Sequence, residues 1–288
     1  MGFRLANVEG RAVLVSGTDY HDLEALSAGA LGPDPMDALA LADAVRGFAD
    51  GLGSATPTGS LDDVVIGCPV PRPRDVFGIG LNYRDHAAET GRDQPTSPLV
   101  FTKFPSCLCG PDTTIELRSD AVDYEAELVV VIGTGGKDIA EADAWDHVVG
   151  LTMGQDVSDR AMQFAGSPAQ FGLGKSFDTF GPIGPAVVSL DEIGDVDELR
   201  VRCSVNGQQR QDGSVRDLIF SIPRLIHHLS HVTTLSTGDL IFTGTPAGVG
   251  APTGDLLVDG DVVVTTICSE SATLGTMTNR CVRVSDHV

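Results

Sequence analysis

The chain has 288 residues, 42% of them hydrophobic and 20% charged, with a formal net charge of −21. That length and composition suit a globular protein with a full core, and no apolar run is long enough to cross a bilayer. An acidic field of this size repels phosphate backbones and anionic lipid, so the expected partner is a small molecule, not nucleic acid or a membrane surface.

The N-terminus lacks the basic-then-apolar layout of a signal peptide, and a cytoplasmic protein is expected. Six scattered cysteines in a chain this large predict free thiols, mostly packed, not a disulfide framework.

In chain order, residues 4–15 read as a hairpin with Glu9-Gly10 at its turn. Asp34-Pro35 opens a helix that places Leu41, Val45, Phe48 and Leu52 on one face, stopped by Gly51 and Gly53. The prolines of Pro69-Val70-Pro71-Arg72-Pro73 forbid helix and suggest an extended connection. A boundary near Pro69 divides a small N-terminal unit, residues 1–70, from a main unit, residues 71–288.

In the main unit, Val76-Phe77-Gly78-Ile79-Gly80 reads as a strand leading into a loop and short helix that ends near Glu89. Leu128 to Ile132 is continuously apolar and ended by Gly133, the pattern of a strand buried on both faces. Helices are expected at residues 139–149, 158–164 and 222–229, the last with Pro223 in its first turn. Asn206-Gly207 marks a hairpin, and strands resume at residues 239–243 and 261–267. Strands without regular helix alternation argue against a doubly wound sheet. They predict an α+β, β-rich fold, a mixed β-roll or sandwich with the small N-terminal α/β unit appended.

The chemistry centres on Val122-Asp123-Tyr124-Glu125-Ala126-Glu127, just before the buried strand. Side chains alternate along a strand, so Glu125 and Glu127 point the same way, roughly 6.5–7 Å apart at Cα. Two like charges beside an apolar wall are costly unless one takes a proton or a cation sits between them. The commoner alternative is an ordinary exposed strand end. Asp156, at the end of another apolar segment, is the candidate third ligand, and an all-oxygen set favours Mg²⁺ or Mn²⁺, with Ca²⁺ also compatible, over Zn²⁺.

Other constellations are weaker singly. Arg160 and Gln163 share a face if Ser158 caps a helix, and could grip a carboxylate or an oxyanion; a solvated surface helix is the plain alternative. Lys175 lies among glycines and aromatics, which points it inward towards an anion, either a substrate's or a structural partner's. His86 and Glu89, three apart, could form a water-activating pair. Gly244-Thr245-Pro246-Ala247-Gly248-Val249-Gly250 lets backbone approach a ligand, with Thr245 able to donate to a carboxylate, or is simply a turn. The glycines of Gly133-Thr134-Gly135-Gly136-Lys137 lack P-loop spacing, and His227, His228 and His231 lack the zincin glutamate.

Taken together and in order, these motifs resemble the fumarylacetoacetate hydrolase superfamily. The resemblance runs from about Phe77 to Val264 through Gly80-Leu81-Asn82-Tyr83-Arg84-Asp85-His86, Tyr124-Glu125-Ala126-Glu127, Gln155-Asp156-Val157-Ser158-Asp159-Arg160, Leu173-Gly174-Lys175-Ser176-Phe177-Asp178, Val205-Asn206-Gly207 and Thr243-Gly244-Thr245-Pro246. It implies a β-rich roll, commonly a homodimer, holding Mg²⁺ or Mn²⁺ on Glu125, Glu127 and Asp156. It also implies that Lys175, Arg160 and Gln163 serve the substrate, Thr245 its carboxylate end, and His86 with Glu89 water activation. Phe171 stands where many relatives place Trp, a departure in the pocket wall.

The resemblance implies metal-dependent hydrolysis of a carbon–carbon bond in a small anionic acylpyruvate-like 2,4-dioxo acid, releasing pyruvate. Oxaloacetate decarboxylation and 2-oxo-acid isomerisation pass through the same enolate and are the alternatives; a non-catalytic oxo-acid-binding module is the reading from another class.

Overall fold

The computed structural model describes residues 2–284; Met1 and residues 285–288, at the ends of the two expected units, lie outside them. β1 (Arg4–Val8) turns into β2 (Arg11–Ser16) through Glu9 and Gly10 at φ 53° and 83°. That is the doubly positive pair a two-residue hairpin requires. β3 (Asp19–Asp22) continues the ribbon. Asp34 caps α1 (Pro35–Ala40) as expected, accepting from Met36 N at 2.8 Å. The single long helix does not form. The Leu41 N–H tightens onto the Asp37 and Ala38 carbonyls, α2 (Ala42–Ala49) restarts behind it, and Leu41 is left 49% exposed while Val45 is buried.

After β4 (Gly59–Ser60), the chain runs through β5 (Val76–Gly80), α3 (Arg84–Glu89), β6 (Leu99–Thr102), β7 (Ala126–Ile132) and β8 (Val148–Gln155). Then come α4 (Arg160–Gln163), α5 (Phe171–Gly174), β9 (Gly181–Val188), the hairpin of β10 (Arg200–Val205) and β11 (Gln208–Ser214), and α6 (Ile222–Val232). β12 (Leu240–Phe242), β13 (Val262–Cys268) and β14 (Thr273–Arg283) complete it.

The large sheet runs β4-β3-β2-β1-β9-β8-β7-β12-β5-β6, and along that path it is antiparallel except where β12 meets β5; the short strand Leu108–Cys109 adds a parallel pair beside β9. A second sheet, β11-β10-β13-β14 with residues Ile115–Leu117 at its edge, packs over one face. β7 lies inside both layers. Leu128, Val130 and Ile132 join the cluster shared with Val201, Ile267 and Met277, whereas Val129 and Val131 face Leu5, Leu39 and Val45 of the N-terminal segment. Every residue of β7 is buried, as its unbroken apolar run requires. The N-terminal strands also join the large sheet directly, because β1 pairs with β9.

One expected helix differs in kind: residues 139–149 contain only a 3-10 segment, Glu141–His147. It carries Glu141, Asp143 and Asp146, Glu141 is tied to Arg224 at 2.7 Å, and its buried Ala144 joins the main core. Packing holds it where helix propensity does not. Among the described residues no helix is long and apolar enough to cross a membrane, and all six cysteines are free.

Candidate metal centre and active site

The β7–β8 register sets Ala126 opposite Gln155 and Glu127 opposite Gly154. Asp156 therefore emerges one residue beyond the end of β8, and its N–H donates to the Glu125 carbonyl at 2.8 Å. Glu125, Glu127 and Asp156 are all buried, and one carboxylate oxygen from each lies within 4.8 Å of the others. Three carboxylates from separate stretches thus share one centre.

Lys175 Nζ donates to Glu125 Oε2 at 2.8 Å, Asp156 Oδ2 at 2.6 Å and Ser158 Oγ at 2.8 Å. Ser158 is consequently not the helix cap expected from its position. Its hydroxyl donates to the Asp156 carbonyl at 2.9 Å, and Asp159 caps α4 instead, accepting from Met162 N at 2.9 Å. Arg160 Nη2 reaches Glu125 Oε1 at 2.6 Å and Asp123 Oδ2 at 2.7 Å, while its Nη1 donates to Gln163 Oε1 at 3.0 Å. Asp156 has a second cation: Lys103 Nζ donates to its Oδ1 at 2.7 Å, and to the Lys175 and Phe180 carbonyls.

Electrostatics separates the two glutamates. Burial raises the Glu125 carboxyl, but Lys175 and Arg160 overcome that and hold it well below the ordinary range. Glu127 has no such partner. Burial first, then the charges of Asp156 and Glu125, push its carboxyl well above the usual value. Four buried carboxylates, Asp123, Glu125, Glu127 and Asp156, face three buried or nearly buried cations, Lys103, Arg160 and Lys175. A divalent cation fits this donor set: it would be met by hard oxygens, relieve the repulsion on Glu127 and leave the cluster with a positive surplus for an anionic ligand.

The glycine-rich loop after β12 orients carboxylates rather than merely leaving room for a ligand. Gly244 N donates to Glu127 Oε2 at 2.7 Å, Gly248 N to Glu89 Oε1 at 2.9 Å, and Gly250 N to Asp123 Oδ1 at 2.7 Å. Gly248 sits at φ +106°, and a Cβ there would lie 1.9 Å from the Arg210 carbonyl oxygen, so only glycine serves. Glu89 Oε2 in turn meets His86 Nδ1 at 3.2 Å. With Nδ1 turned to a carboxylate, Nε2 is the atom left for chemistry.

A cavity of about 440 Å³ joins these parts, lined by His86, Glu89, Glu125, Glu127, Arg160 and Lys175 among others. Gln163 and Thr245 line it too, so all the site residues expected from sequence except Asp156 reach the cavity surface, and Asp156 lies fully buried behind Lys175. The Thr245 hydroxyl donates to the Ala126 carbonyl at 2.8 Å and accepts from Gln211 Nε2 at 2.7 Å. Phe171 packs edge-on against Phe101 and Phe164, with ring centroids 6.0 and 5.9 Å away, forming an aromatic wall.

Two supporting residues escaped sequence reasoning. Asp123 continues the alternation of Glu125 and Glu127 one step backwards, a signal in plain view. Lys103 sits in Leu99-Val100-Phe101-Thr102-Lys103-Phe104, an apolar context like the one that singled out Lys175. Two of the three histidines of α6 find partners unrelated to a metal: His227 meets the Ile139 carbonyl at 2.7 Å and His231 meets Asp138 at 2.9 Å.

Comparison with known proteins decides the family, since the model for the fumarylacetoacetate (FAA) hydrolase C-terminal region matches residues 75–282. The chain belongs to the fumarylacetoacetate hydrolase family. It is 45% identical over 197 residues to Oxaloacetate tautomerase YisK of Bacillus subtilis, a match covering 66% of this chain and 65% of the relative. The chain thus spans slightly under two thirds of that relative's length.

Among solved structures of similar proteins, a Mycobacterium smegmatis protein provisionally called HpcE superposes with a TM-score of 0.89 at 42% identity, over 98% of this chain and 100% of the other. Maleylpyruvate hydrolase from Sphingobium, solved with manganese(II) and pyruvate, gives a TM-score of 0.80 at 30% identity, over 98% of this chain and 100% of the other. The family's enzymes include hydrolases, isomerases and tautomerases, and the mixed β-rich fold agrees with these structures.

Proposed function

We propose that this chain is a divalent-metal-dependent enzyme that forms an enolate from a 2-oxo acid, and that hydrolytic carbon–carbon cleavage of an acylpyruvate-type 2,4-dioxo acid is the reaction its site is best equipped for. The observation that carries the reading is the His86–Glu89 pair facing the same cavity as the three carboxylates. Mg²⁺ or Mn²⁺ on Glu125, Glu127 and Asp156 would supply Lewis acidity that stabilises developing enolate charge.

The chain's own groups would do the rest. His86, held by Glu89, accepts a proton from water, and the resulting hydroxide adds to the C4 carbonyl of the substrate. The amide N–H of Gln163, whose carbonyl oxygen is occupied by Arg160, donates to the oxyanion formed there, and Lys175, its three N–H groups held by Glu125, Asp156 and Ser158, contributes its positive charge. The C3–C4 bond then breaks, releasing a carboxylic acid and the enolate of pyruvate, which takes at C3 the proton that His86 accepted from water. Arg160 keeps Glu125 in place throughout, and Thr245 turns its hydroxyl from Ala126 to the proximal carboxylate.

Tautomerisation of oxaloacetate is the second reading, favoured by the 45% identity to the Bacillus subtilis enzyme. It needs the same enolate, with the proton returned to carbon and no water attack. The proposal also includes a cytoplasmic homodimer, with residues 1–70 serving as a structural unit without chemistry.

The test is turnover by metal-stripped and Mg²⁺- or Mn²⁺-loaded protein on fumarylpyruvate, acetylpyruvate and oxaloacetate. Pyruvate release from the acylpyruvates only with metal is the expected result. Enol-to-keto conversion of oxaloacetate without acylpyruvate cleavage would establish the second reading, and metal-independent turnover would contradict both.

A further inference from the structure

Three arginine or lysine side chains line the cavity: Arg92, Arg160 and Lys175. Arg160 and Lys175 are committed to carboxylates of the buried cluster. Arg92 differs. Its guanidinium makes no hydrogen bond or ion pair among the described residues, and it is exposed, whereas Glu125 and Glu127, which line the same cavity, are buried. In a chain of net charge −21 with 40 acidic residues, a cavity-lining guanidinium with no acidic partner calls for an explanation.

Its placement is built into the backbone. The Arg92 N–H donates to the Ala87 carbonyl at 3.0 Å and the Gly91 N–H to the Ala88 carbonyl at 3.1 Å, with Gly91 at φ +66°. These are the paired bonds of a Schellman motif, in which the left-handed residue reverses the chain at the end of a helix. The helix so ended is α3, which carries His86 and Glu89. One short rigid unit therefore presents the proposed base and a spare guanidinium to the same cavity.

We propose that Arg92 receives a second carboxylate at the far end of the substrate, so that the site prefers dicarboxylic 2-oxo acids over monocarboxylic ones of equal length. This rests on the proposed function, which puts the 2-oxo carboxylate at Thr245, a buried residue of the same cavity. A guanidinium pairs with a carboxylate through two parallel N–H···O bonds, a geometry that rewards one orientation of the ligand. The cavity, about 440 Å³, has the volume for an acid longer than four carbons.

Two unreactive acids of the same chain length, 2-oxoadipate and 2-oxohexanoate, isolate the distal carboxylate. Calorimetric binding of each to Mg²⁺-loaded wild-type protein should show the dicarboxylate bound roughly tenfold or more tightly, the scale of one charge-assisted pair. In Arg92→Gln the ratio should collapse to near unity, and Arg92→Lys should recover part of it. Equal binding of the two acids by wild type, or a preference that survives Arg92→Gln, overturns the role of Arg92 while leaving the proposed function standing. Failure of wild type to bind either acid defeats the proposed function and this inference with it.

Discussion

Lys103 Nζ donates to Asp156 Oδ1 at 2.7 Å, and neither side chain is reached by solvent. Asp156 raises the Lys103 ammonium against the opposing effect of burial. Removing one partner of an isolated buried pair costs about 3–5 kcal/mol; here Asp156 keeps Lys175 as a second cation, so the loss falls below that range. Lys103→Met should therefore lower the melting temperature by several degrees, and it should weaken divalent-metal binding because Asp156 loses one of its two anchors. Differential scanning calorimetry with and without metal checks both effects.

Glu127 offers a pH test with a definite sign. Its carboxyl is raised in the metal-free fold, so the folded chain binds a proton more tightly than the unfolded one. The stability this gives is whole below the ordinary carboxylate range and is lost as pH rises towards the raised value, with a slope of at most about 1.4 kcal/mol per pH unit. Metal-stripped protein should lose stability from pH 5 upwards, and Glu127→Gln should flatten that loss. Saturating Mg²⁺ should also flatten it. Parallel pH profiles for all three samples would contradict the assignment.

His86→Ala should reduce acylpyruvate cleavage by about 10²- to 10⁴-fold, the usual worth of a general base. Glu89→Gln should give a smaller loss and shift the acidic limb of the pH–rate profile, since it orients the imidazole without touching the reaction. Retention of full activity by His86→Ala would turn the proposal towards tautomerisation or decarboxylation.

Gly248→Ala tests the loop. The added Cβ would meet the Arg210 carbonyl oxygen at 1.9 Å in a backbone with φ +106°, so the loop must move and take its bond to Glu89 with it. A destabilisation of about 3 kcal/mol or more is expected from strain and lost packing. Chemical denaturation measures it.

Burial pushes the Cys68, Cys109, Cys203 and Cys281 thiols each up to about 12. A thiolate-selective reagent at pH 8 should leave these four unlabelled in the native protein for as long as it stays folded, and should label all six cysteines once it is unfolded. Mass spectrometry of the labelled chain reads the difference.

What the sequence made legible was local and periodic. Alternation along the strand placed Glu125 and Glu127 on one side, and the apolar run of β7 announced a strand covered on both faces. Turn chemistry located the Glu9-Gly10 and Asn206-Gly207 hairpins. Asp34-Pro35 marked a helix start correctly, but the break at Leu41 depends on packing that a periodic pattern does not record. Ser158 and Asp159 are both good caps, and only the approach of Lys175 decides which one is free to cap. Lys103 and the loop N–H groups belong to the site through contacts between distant segments, which neither spacing nor propensity registers.

The central claim is that Glu125, Glu127 and Asp156 hold one divalent ion. Calorimetric titration of Mn²⁺ into metal-stripped wild-type, Glu127→Gln and Asp156→Asn proteins tests it most directly. The account predicts one site per chain in wild type and at least about a 100-fold weaker affinity in each variant, the scale of losing a charged oxygen ligand. Equal affinity in all three proteins, or no binding by the wild type, would contradict it.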